Sequence, residues 1–327
     1  MKRRNLILGA LTSGVGMTHV LAQTAAKKLA RIVAIVNGEE ASFRPFRESL
    51  VTGMHALGQI EGRTYRLEFM YANREPLRAV GLIADAVASR PDILLVAGLT
   101  NAKRARDATT TIPVVVATSS DLVDAGLIAS FARPGGNVTG ITDLADELAE
   151  KRLELLVELH PRAKRVALLN NPDFPAAAKI ETRVVAAADR FGVTVLPIYA
   201  RDRASLSLAV ESLRNSRPDA LLIGGDGLFV VNAESIIQGA SARGVPVVHY
   251  WPGTAEMGAL LSHQADIRKN YERAAYYLDR ILKGAKPGDL PVERPARYEL
   301  VVSRKAAHAF GLSIAPSIAL RADRIID

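Results

Sequence analysis

Arg31-Ile-Val-Ala-Ile-Val36, followed directly by Asn37-Gly38, sets the fold class of this chain. It is a short apolar run of mainly β-branched residues that ends at a turn-forming pair, which is typical of a buried parallel strand. Apolar residues at helical spacing follow over Phe43–Leu57. A strand, a turn and a helix in this order predict the first unit of an α/β sheet.

The same alternation of strand and helix continues along the chain, and it predicts a doubly wound α/β fold. The length of 327 residues exceeds what one hydrophobic core usually serves, so we expect two similar lobes of five strands each. Four strands in each half can be given bounds: Arg31–Val36, Tyr65–Tyr71, Ile93–Ala97 and Pro113–Thr118 in the first, and Arg165–Asn170, Thr194–Tyr199, Ala220–Gly224 and Pro246–His249 in the second. Val138–Ile141 is predicted as a connecting strand between the halves.

The glycine-rich segment Ala132–Thr142 marks the first passage between the lobes, because Pro134-Gly135-Gly136 cannot continue a helix. A predicted helix at Ile267–Leu282 and the proline-containing segment after it indicate two further passages. We therefore expect a hinge of three crossings, with residues 23–142 and 264–290 in the N-terminal lobe and residues 143–263 and 291–327 in the C-terminal lobe.

The N-terminus has the pattern of a cleaved secretory signal peptide over residues 1–22. Lys2-Arg-Arg4 precedes an apolar run from Leu6 to Leu21, and Val20-Leu21-Ala22 places small residues before Gln23. We expect export to the periplasm, by either the general secretory or the twin-arginine route. Export argues against enzymes that depend on ATP or NADH and against regulators that read chromosomal DNA.

The amino-acid composition further restricts the kinds of partner that we expect. The sequence contains no cysteine, which removes disulfides, thiol nucleophiles and the lipidated cysteine that anchors many exported proteins. The net charge of +8 includes three signal-peptide cations, and the remaining basic residues are interspersed with acidic ones, so we expect no nucleic-acid partner. We expect a freely diffusing monomer.

The usual catalytic and cofactor motifs are absent from the sequence. There is no Gly-x-Ser-x-Gly, no His-Glu-x-x-His and no phosphate-binding Gly-x-x-x-x-Gly-Lys-Ser/Thr. None of the six histidines is paired at metal-ligand spacing. We therefore predict a protein that is not an enzyme and that needs no cofactor or metal.

Position along the strands predicts the binding site. In open α/β sheets, ligands bind outside the carboxyl ends of the strands, where helix N-termini offer unpaired N–H groups. The candidate ligand-binding residues at these ends are Asn37, Glu39, Ser42, Leu99, Thr100, Asn101, Ser119, Ser120, Asp121, Asn171, Phe174, Asp226, His249, Tyr250 and Trp251.

For any one of the polar candidates, a plain role as a helix cap is an open alternative. Asp226 stands between two glycines with no evident cap role, so we expect its carboxylate to pair with a ligand cation. Phe174, Tyr250 and Trp251 are candidates for an aromatic wall, and ordinary packing of Trp251 stays open as an alternative.

Several segments resemble one known family. They are Ala108-Thr-Thr-Thr-Ile-Pro113, Ala125-Gly-Leu-Ile-Ala-Ser-Phe-Ala-Arg-Pro-Gly-Gly-Asn-Val-Thr-Gly140, Lys151-Arg-Leu-Glu-Leu-Leu156, Asp279-Arg-Ile-Leu-Lys-Gly-Ala-Lys-Pro-Gly-Asp-Leu-Pro291 and Tyr298-Glu-Leu-Val-Val302. Together they are similar to the substrate-binding proteins of a family of bacterial ABC transporters. The likeness spans nearly the whole chain after the signal.

This resemblance implies a type I periplasmic binding protein fold, in which two Rossmann-like lobes close on a small ligand. Relatives in the family include tryptophan- and tyrosine-binding proteins. By position, Asn171-Pro172, Asp226 and Asp121 match residues of the family's motifs. Leu99 departs from the usual threonine, a loss for which Thr100 could compensate, and His249 departs from a frequent tyrosine.

We therefore predict an exported solute receptor that binds an amino acid or a related carboxylate and delivers it to the membrane permease of an ABC importer. One alternative is the effector-binding lobe pair of a transcription regulator, which needs about 50–60 residues of helix-turn-helix before the first strand. A second alternative is an exported hydrolase, for which no nucleophile and base pair is visible.

Overall fold

The computed structural model describes residues 29–143, 148–295 and 297–327. The predicted signal peptide lies outside these residues. Two sheets, each made mainly of parallel strands, form the centres of two lobes, which we call lobe one and lobe two. In the described ranges, no helix combines the length and the apolar character needed to cross a membrane.

Lobe one is built on a sheet in which, among the described residues, five parallel strands lie in the order β2-β1-β3-β4-β5. The strands are β1 (Ala30–Val36), β2 (Tyr65–Tyr71), β3 (Ile93–Ala97), β4 (Val114–Thr118) and β5 (Val138–Gly140). Helices α1 (Glu40–Ala56), α2 (Pro76–Ala88) and α3 (Leu99–Ala108) connect the first four strands. The central strands β1, β3 and β4 are almost wholly buried, as their apolar sequences predict.

Lobe two contains a sheet of seven strands within the described ranges, in the order β12-β11-β10-β9-β8-β6-β7. Its strands are β6 (Arg165–Asn170), β7 (Thr194–Tyr199), β8 (Ala220–Ile223), β9 (Val247–His249), β10 (Leu261–Ala265), β11 (Tyr298–Ser303) and β12 (Arg324–Ile326). The connecting helices are α4 (Leu148–Leu159), α5 (Ala177–Phe191), α6 (Arg203–Ser216), α7 (Gly227–Val231) and α8 (Ala233–Ser241). The C-terminal segment adds α10 (Arg304–Ala309) and α11 (Pro316–Arg321), whereas α9 (Ile267–Leu282), between β10 and β11 in the sequence, packs on lobe one.

The prediction of five strands is confirmed for lobe one and wrong for lobe two. Strand β10, Leu261-Ser-His-Gln-Ala265, is mixed in polarity and β12 has three residues, so neither has the apolar run that identifies a buried strand. Strand β11 has such a run, Leu300-Val-Val302, and was not identified as a strand. Strand β11 also pairs antiparallel with β10, unlike the parallel pairs before it. The expectation that lobe two repeats the five strands of lobe one therefore gave too few strands for the second sheet.

Three segments run side by side where the chain passes between the lobes. After β5, Thr142 N donates to Glu293 O at 2.9 Å, and Glu293 N donates to Gly140 O at 3.0 Å. Between β10 and β11, the chain returns to lobe one as α9, which packs against α1. The residue boundaries of the lobes and the hinge of three crossings stay predictions.

The two lobes are in contact on both sides of the cleft between them. Asp124 of lobe one forms an ion pair with Lys179 of α5. On the opposite side, a Cβ atom at Gly227 would lie 2.9 Å from Asn37 Nδ2, so the absence of a side chain at Gly227 permits this approach. The carboxyl ends of the parallel strands thus face one another across the cleft.

Candidate functional site

A cavity of about 200 Å³ lies between the lobes, at the carboxyl ends of their parallel strands. Residues of both lobes line it. Of the predicted site residues, those on its surface are Asn37, Ser42, Leu99, Thr100, Asn101, Ser119, Ser120, Phe174, Asp226, Tyr250 and Trp251. Sheet geometry therefore located the cavity from the sequence, as expected for open α/β folds.

The wall from lobe one carries the N-terminus of α3. Gly98 turns the chain from β3 into this helix with a φ of +87°, a conformation that favours glycine. No side chain caps the helix, so its first N–H groups are left for a partner at the cavity. The Asn101 amide stabilises this corner by donating to Asn37 Oδ1 at 2.9 Å and to Ala97 O at 3.1 Å. This wall favours negative charge.

Strand β4 ends in hydroxyl-bearing residues that continue the same wall. Thr118 Oγ1 donates to the carboxylate of Asp143, a residue at the first crossing between the lobes. Ser119 is almost fully buried, and its Oγ has no hydrogen-bond partner among the described residues. The wall thus combines backbone N–H groups with hydroxyls, and it carries an unsatisfied polar atom next to the cavity.

The wall from lobe two carries a carboxylate. Asp226 Oδ1 accepts from Leu228 N at 2.6 Å, and its Oδ2 accepts from Asn171 Nδ2 at 2.9 Å. Burial raises the pKa of Asp226, while these two hydrogen bonds and the charge of Arg104 oppose the rise. A cation in the cavity would offset the same cost of burial.

The expectation that Asp226 has no cap role is wrong. Asp226 is the N-cap residue of α7, a helix too short to be visible in the sequence. It nevertheless lines the cavity, so capping and ligand binding are compatible roles for this side chain. The cap bonds fix the orientation of the carboxylate, and the Tyr250 hydroxyl donates to the Asp226 carbonyl oxygen from the next strand end.

Aromatic rings from both lobes form one side of the cavity. The ring of Trp251 lies edge-on to Phe46 of α1, with 6.0 Å between ring centroids. Phe46 in turn stacks on Tyr271 at 5.5 Å and meets Phe43 edge-on at 5.4 Å. These distances are typical of favourable aromatic pairs. The Trp251 contact therefore joins the two lobes and presents an apolar surface to a ligand.

His249 does not reach the cavity. It is fully buried at the end of β9, where its Nδ1 accepts from Trp251 N at 3.0 Å and its ring stacks on Tyr250. Burial lowers the pKa of His249 to about 3. The expectation that it forms part of the wall is therefore corrected: a short strand buried on both faces points this side chain into the core of lobe two.

Three further candidates also lie outside this cavity. Asp121 Oδ1 accepts from Val123 N at 2.8 Å, so it closes the turn after β4. Glu39 pairs with Arg74 at 3.2 Å, and Asn171 stands behind Asp226. Glu39 and Asn171 line an outer groove of about 1170 Å³ at the mouth of the cleft, which leads towards the cavity.

Several cavity residues are absent from the sequence prediction. Asp143 and Gln264 lie at the crossings between the lobes, where Gln264 Nε2 donates to Asp143 Oδ2 at 2.8 Å. Phe43 and Phe46 project from the first turns of α1. The sequence prediction considered only residues that directly follow predicted strands, so it could not include these four cavity residues. The family-like segment at the crossings was the only sequence signal near Asp143.

Arg152 supports the wall of lobe two from inside. It is fully buried in α4, and its guanidinium carbon lies 5.6 Å from the centre of the Tyr250 ring. Its Nη1 also donates to His263 O at 3.3 Å. Burial and the charge of Arg152 lower the pKa of His263 to about 4. Arg152 therefore positions the ring of Tyr250, which lines the cavity, while Arg152 itself does not line it.

The described part of the chain contains no group of three or more histidine, aspartate or glutamate side chains arranged to hold a metal ion. The cavity instead combines an anion-favouring wall, a carboxylate and aromatic rings. This arrangement suits reversible binding of a small polar molecule with an apolar part.

Comparison with known proteins agrees with this geometry. The sequence matches the family described as ABC transporter substrate binding protein over residues 31–326. It is 24% identical over 275 residues to the tyrosine-binding protein of Clostridioides difficile strain R20291, covering 84% of this chain and 79% of that protein.

Solved structures show the same two-lobe fold. A conserved domain protein from Vibrio cholerae superposes with a TM-score of 0.84 at 27% identity, covering 91% of this chain and 100% of that one. An ABC domain from Streptococcus pneumonia in complex with L-Trp gives a TM-score of 0.83 at 22% identity, with the same coverage. A glucose-galactose binding protein from Geobacillus stearothermophilus gives 0.60 at 12% identity, covering 84% and 98%.

Proposed function

The chain belongs to the family of ABC transporter substrate-binding proteins, and from this premise we propose that it is an exported receptor that binds one amino acid between its lobes. Members of this family are non-enzymatic binding proteins, so the ligand is held and released without chemical change. The partner that we propose is the membrane permease of an ABC importer.

The observation that carries the amino-acid proposal is the opposite polarity of the two cavity walls. The uncapped N-terminus of α3 and the hydroxyls after β4 favour a carboxylate. The partly buried carboxylate of Asp226 faces it from lobe two and favours an ammonium group. A zwitterion offers both groups on neighbouring atoms, so it matches both walls when the lobes are closed.

The aromatic side of the cavity supports an amino acid with a large apolar side chain. Phe43, Phe46 and Trp251 present ring surface there, and aromatic or aliphatic side chains gain most from such burial. The relative described as a tyrosine-binding protein and the solved complex with L-Trp point to the same class.

Binding and closure are coupled in this proposal. A ligand that touches Thr100 of lobe one and Asp226 of lobe two makes its full set of contacts only in the closed arrangement. It therefore shifts the population of molecules towards closure. The permease would then recognise the outer faces of two lobes held together.

Export is also part of the proposal. It is supported by the basic and apolar pattern of residues 1–22 and by the family, whose members serve transporters. We expect the mature chain to begin at Gln23. Mass spectrometry of the periplasmic protein tests this, and recovery of only the full-length chain from the cytoplasm would contradict it.

Calorimetric titration of the purified chain tests the ligand class. We expect one site per chain for an L-amino acid with an aromatic or large apolar side chain. The decarboxylated amine and the deaminated acid of the same ligand should bind at least ten-fold more weakly, because each lacks the partner of one wall. Glucose and galactose are the comparison ligands, since sugar-binding proteins share this fold. Binding of a sugar and of no amino acid would contradict the proposal.

A further inference from the structure

An ion pair joins the two lobes at a place away from the cavity. Asp124 follows β4 of lobe one, and Lys179 lies in the first turn of α5 of lobe two. The Lys179 ammonium donates a hydrogen bond to the Asp124 carboxylate. Neither residue lines the cavity or the outer groove. The pair therefore connects the lobes without contacting a molecule bound between them.

Both partners of this pair are held in place by their own lobe. The turn that carries Asp124 is closed by Asp121, whose Oδ1 accepts from Val123 N at 2.8 Å and from Asp124 N at 3.1 Å. The Lys179 side chain is 32% exposed, so much of its aliphatic part is covered by other residues. Groups that are already ordered lose less conformational freedom when they pair, which favours the contact.

Apolar packing adjoins the ion pair in both lobes. Leu122 lies two residues before Asp124, and Ala177 lies two residues before Lys179. Both apolar residues are buried and belong to one cluster, which also contains Phe174 of the cavity wall. Movement of the lobes apart on this side would separate the two charges and expose apolar surface. Both contacts therefore favour the closed arrangement.

We propose that Asp124 and Lys179 form a latch that sets the affinity of the chain for its ligand by stabilising the closed arrangement of the lobes. This inference rests on the proposed function, in which a ligand makes its full set of contacts only in that arrangement. A contact specific to the closed arrangement raises the fraction of molecules competent to hold a ligand, and the apparent affinity rises with that fraction. Because the latch does not touch the ligand, its loss weakens every ligand of the site by the same factor.

Charge reversal at Asp124 tests the latch, with calorimetric titration of L-tyrosine, L-tryptophan and L-phenylalanine. Asp124→Lys places a second cation next to Lys179, so it should weaken each ligand that the wild type binds by about 3-fold to 10-fold. The same reversal made in a Lys179→Gln chain should change the affinity by less than about 2-fold, because the opposing charge is gone. Weakening that differs widely among the ligands would overturn the inference, because it would indicate a direct contact with the ligand.

Salt provides a second measurement on the same variants. The pair is partly exposed, with 32% of the Lys179 side chain and 51% of the Asp124 side chain accessible, so added salt screens it. The ratio of the wild-type affinity to the Asp124→Lys affinity should therefore fall towards one in about 0.5 M NaCl. A ratio that does not change with salt would overturn the electrostatic origin of the latch.

Glu150→Lys is the matched control. Glu150 of α4 forms an ion pair with Arg190, which lies on α5 as Lys179 does, so both partners belong to lobe two. Reversal of this charge disturbs an ion pair of the same helix without crossing the cleft. The affinity should stay as in the wild type, and thermal unfolding of both variants reports on folding. Equal weakening by Glu150→Lys and Asp124→Lys would overturn the inference.

Quenching of Trp251 fluorescence by acrylamide tests the latch without any ligand. The ring of Trp251 contacts Phe46 of the opposite lobe, so opening of the cleft exposes it. In the ligand-free chain, Asp124→Lys should increase quenching of Trp251, and Glu150→Lys should not. Unchanged quenching in Asp124→Lys would overturn the latch. Failure of every amino acid to bind the wild type would instead contradict the proposed function, while the quenching result would still decide on the latch.

Discussion

Lobe one and lobe two meet the same cavity with different chemistry, although both do so at the carboxyl ends of parallel strands. Lobe one offers backbone N–H groups at α3 and hydroxyls after β4. Lobe two offers the Asp226 carboxylate and the ring of Trp251. Sheet geometry determines where a ligand lies, and the residues at the strand ends determine which charge each side accepts. In the proposed function, each lobe binds one charged group of a zwitterion.

The largest expected effect concerns the charge of lobe two. Asp226→Asn should weaken amino-acid binding by about 2–4 kcal/mol, because the ligand ammonium loses a buried partner. The amide oxygen can still accept from Leu228 N, so the cap of α7 should be retained. The amide nitrogen then faces Asn171 Nδ2, so loss of that hydrogen bond should lower the stability by about 1 kcal/mol. Calorimetry and thermal unfolding measure the two effects.

Asp121→Asn is the control for this prediction. Asp121 also accepts backbone N–H groups after a strand, but it lies outside the cavity. Its substitution should leave the affinity as in the wild type. If the two variants bind the ligand with equal affinity, the Asp226 carboxylate does not pair with the ligand ammonium and acts only as the cap of α7.

A second prediction tests whether His249 belongs to the core of lobe two and not to the cavity wall. Burial lowers the pKa of His249 to about 3, below the ordinary value of 6.5. As the pH falls below 6.5, the unfolded chain binds a proton at this residue before the folded chain does, so stability falls. Between pH 6.5 and about pH 3, His249 should lower the free energy of unfolding by about 1.4 kcal/mol for each unit by which the pH falls. Above pH 6.5 its contribution to stability is fully present.

Urea unfolding of the wild type and of His249→Gln between pH 7 and pH 5 measures this contribution. The free energy of unfolding of the variant should depend less steeply on pH, while its ligand affinity at pH 7 should change little, because His249 does not line the cavity. His263, whose pKa is lowered to about 4, adds a parallel dependence in both proteins. Identical slopes for the two proteins would contradict the assignment of His249 to the core.

The smallest expected effect concerns the hydroxyls of lobe one. Thr100→Val should weaken amino-acid binding by about 1 kcal/mol, the usual net worth of one neutral hydrogen bond. The backbone N–H groups of α3 remain, which is why the loss is smaller than for Asp226. Thr111→Val, at an exposed turn, is the control for the change of side chain. If calorimetry gives equal affinities for the two variants, the Thr100 hydroxyl does not contribute, and only the backbone N–H groups of α3 bind the ligand carboxylate.

The apolar strands of both lobes could be predicted from the sequence, whereas several elements around the site could not. Strands β3, β6 and β7 have the predicted bounds because apolar runs with β-branched residues identify them, and β2 has its predicted bounds because aromatic and apolar residues alternate with Arg66 and Glu68. Strand β10 was missed because its three central residues, Ser262, His263 and Gln264, are all polar, so Gln264 was not identified as a cavity residue. The cap role of Asp226 was missed because α7 has five residues and no periodicity to detect.

The side chains at strand ends were predicted less well than their positions. The sequence placed His249 and Trp251 at the same edge, yet one points into the core and the other lines the cavity. Strand β9 has three residues that are all buried, so alternation of polar and apolar residues could not tell its two faces apart. Contacts made by residues distant in sequence decide such cases.

Trp251 provides the most direct test of the claim that the cavity between the lobes is the binding site. It is the single tryptophan of the chain, and it contacts Phe46 of the opposite lobe. An amino acid that calorimetry shows to bind should shift the emission of Trp251 and reduce its access to a soluble quencher, with saturation at one ligand per chain. A ligand bound at that stoichiometry that leaves both emission and quenching unchanged would contradict the account.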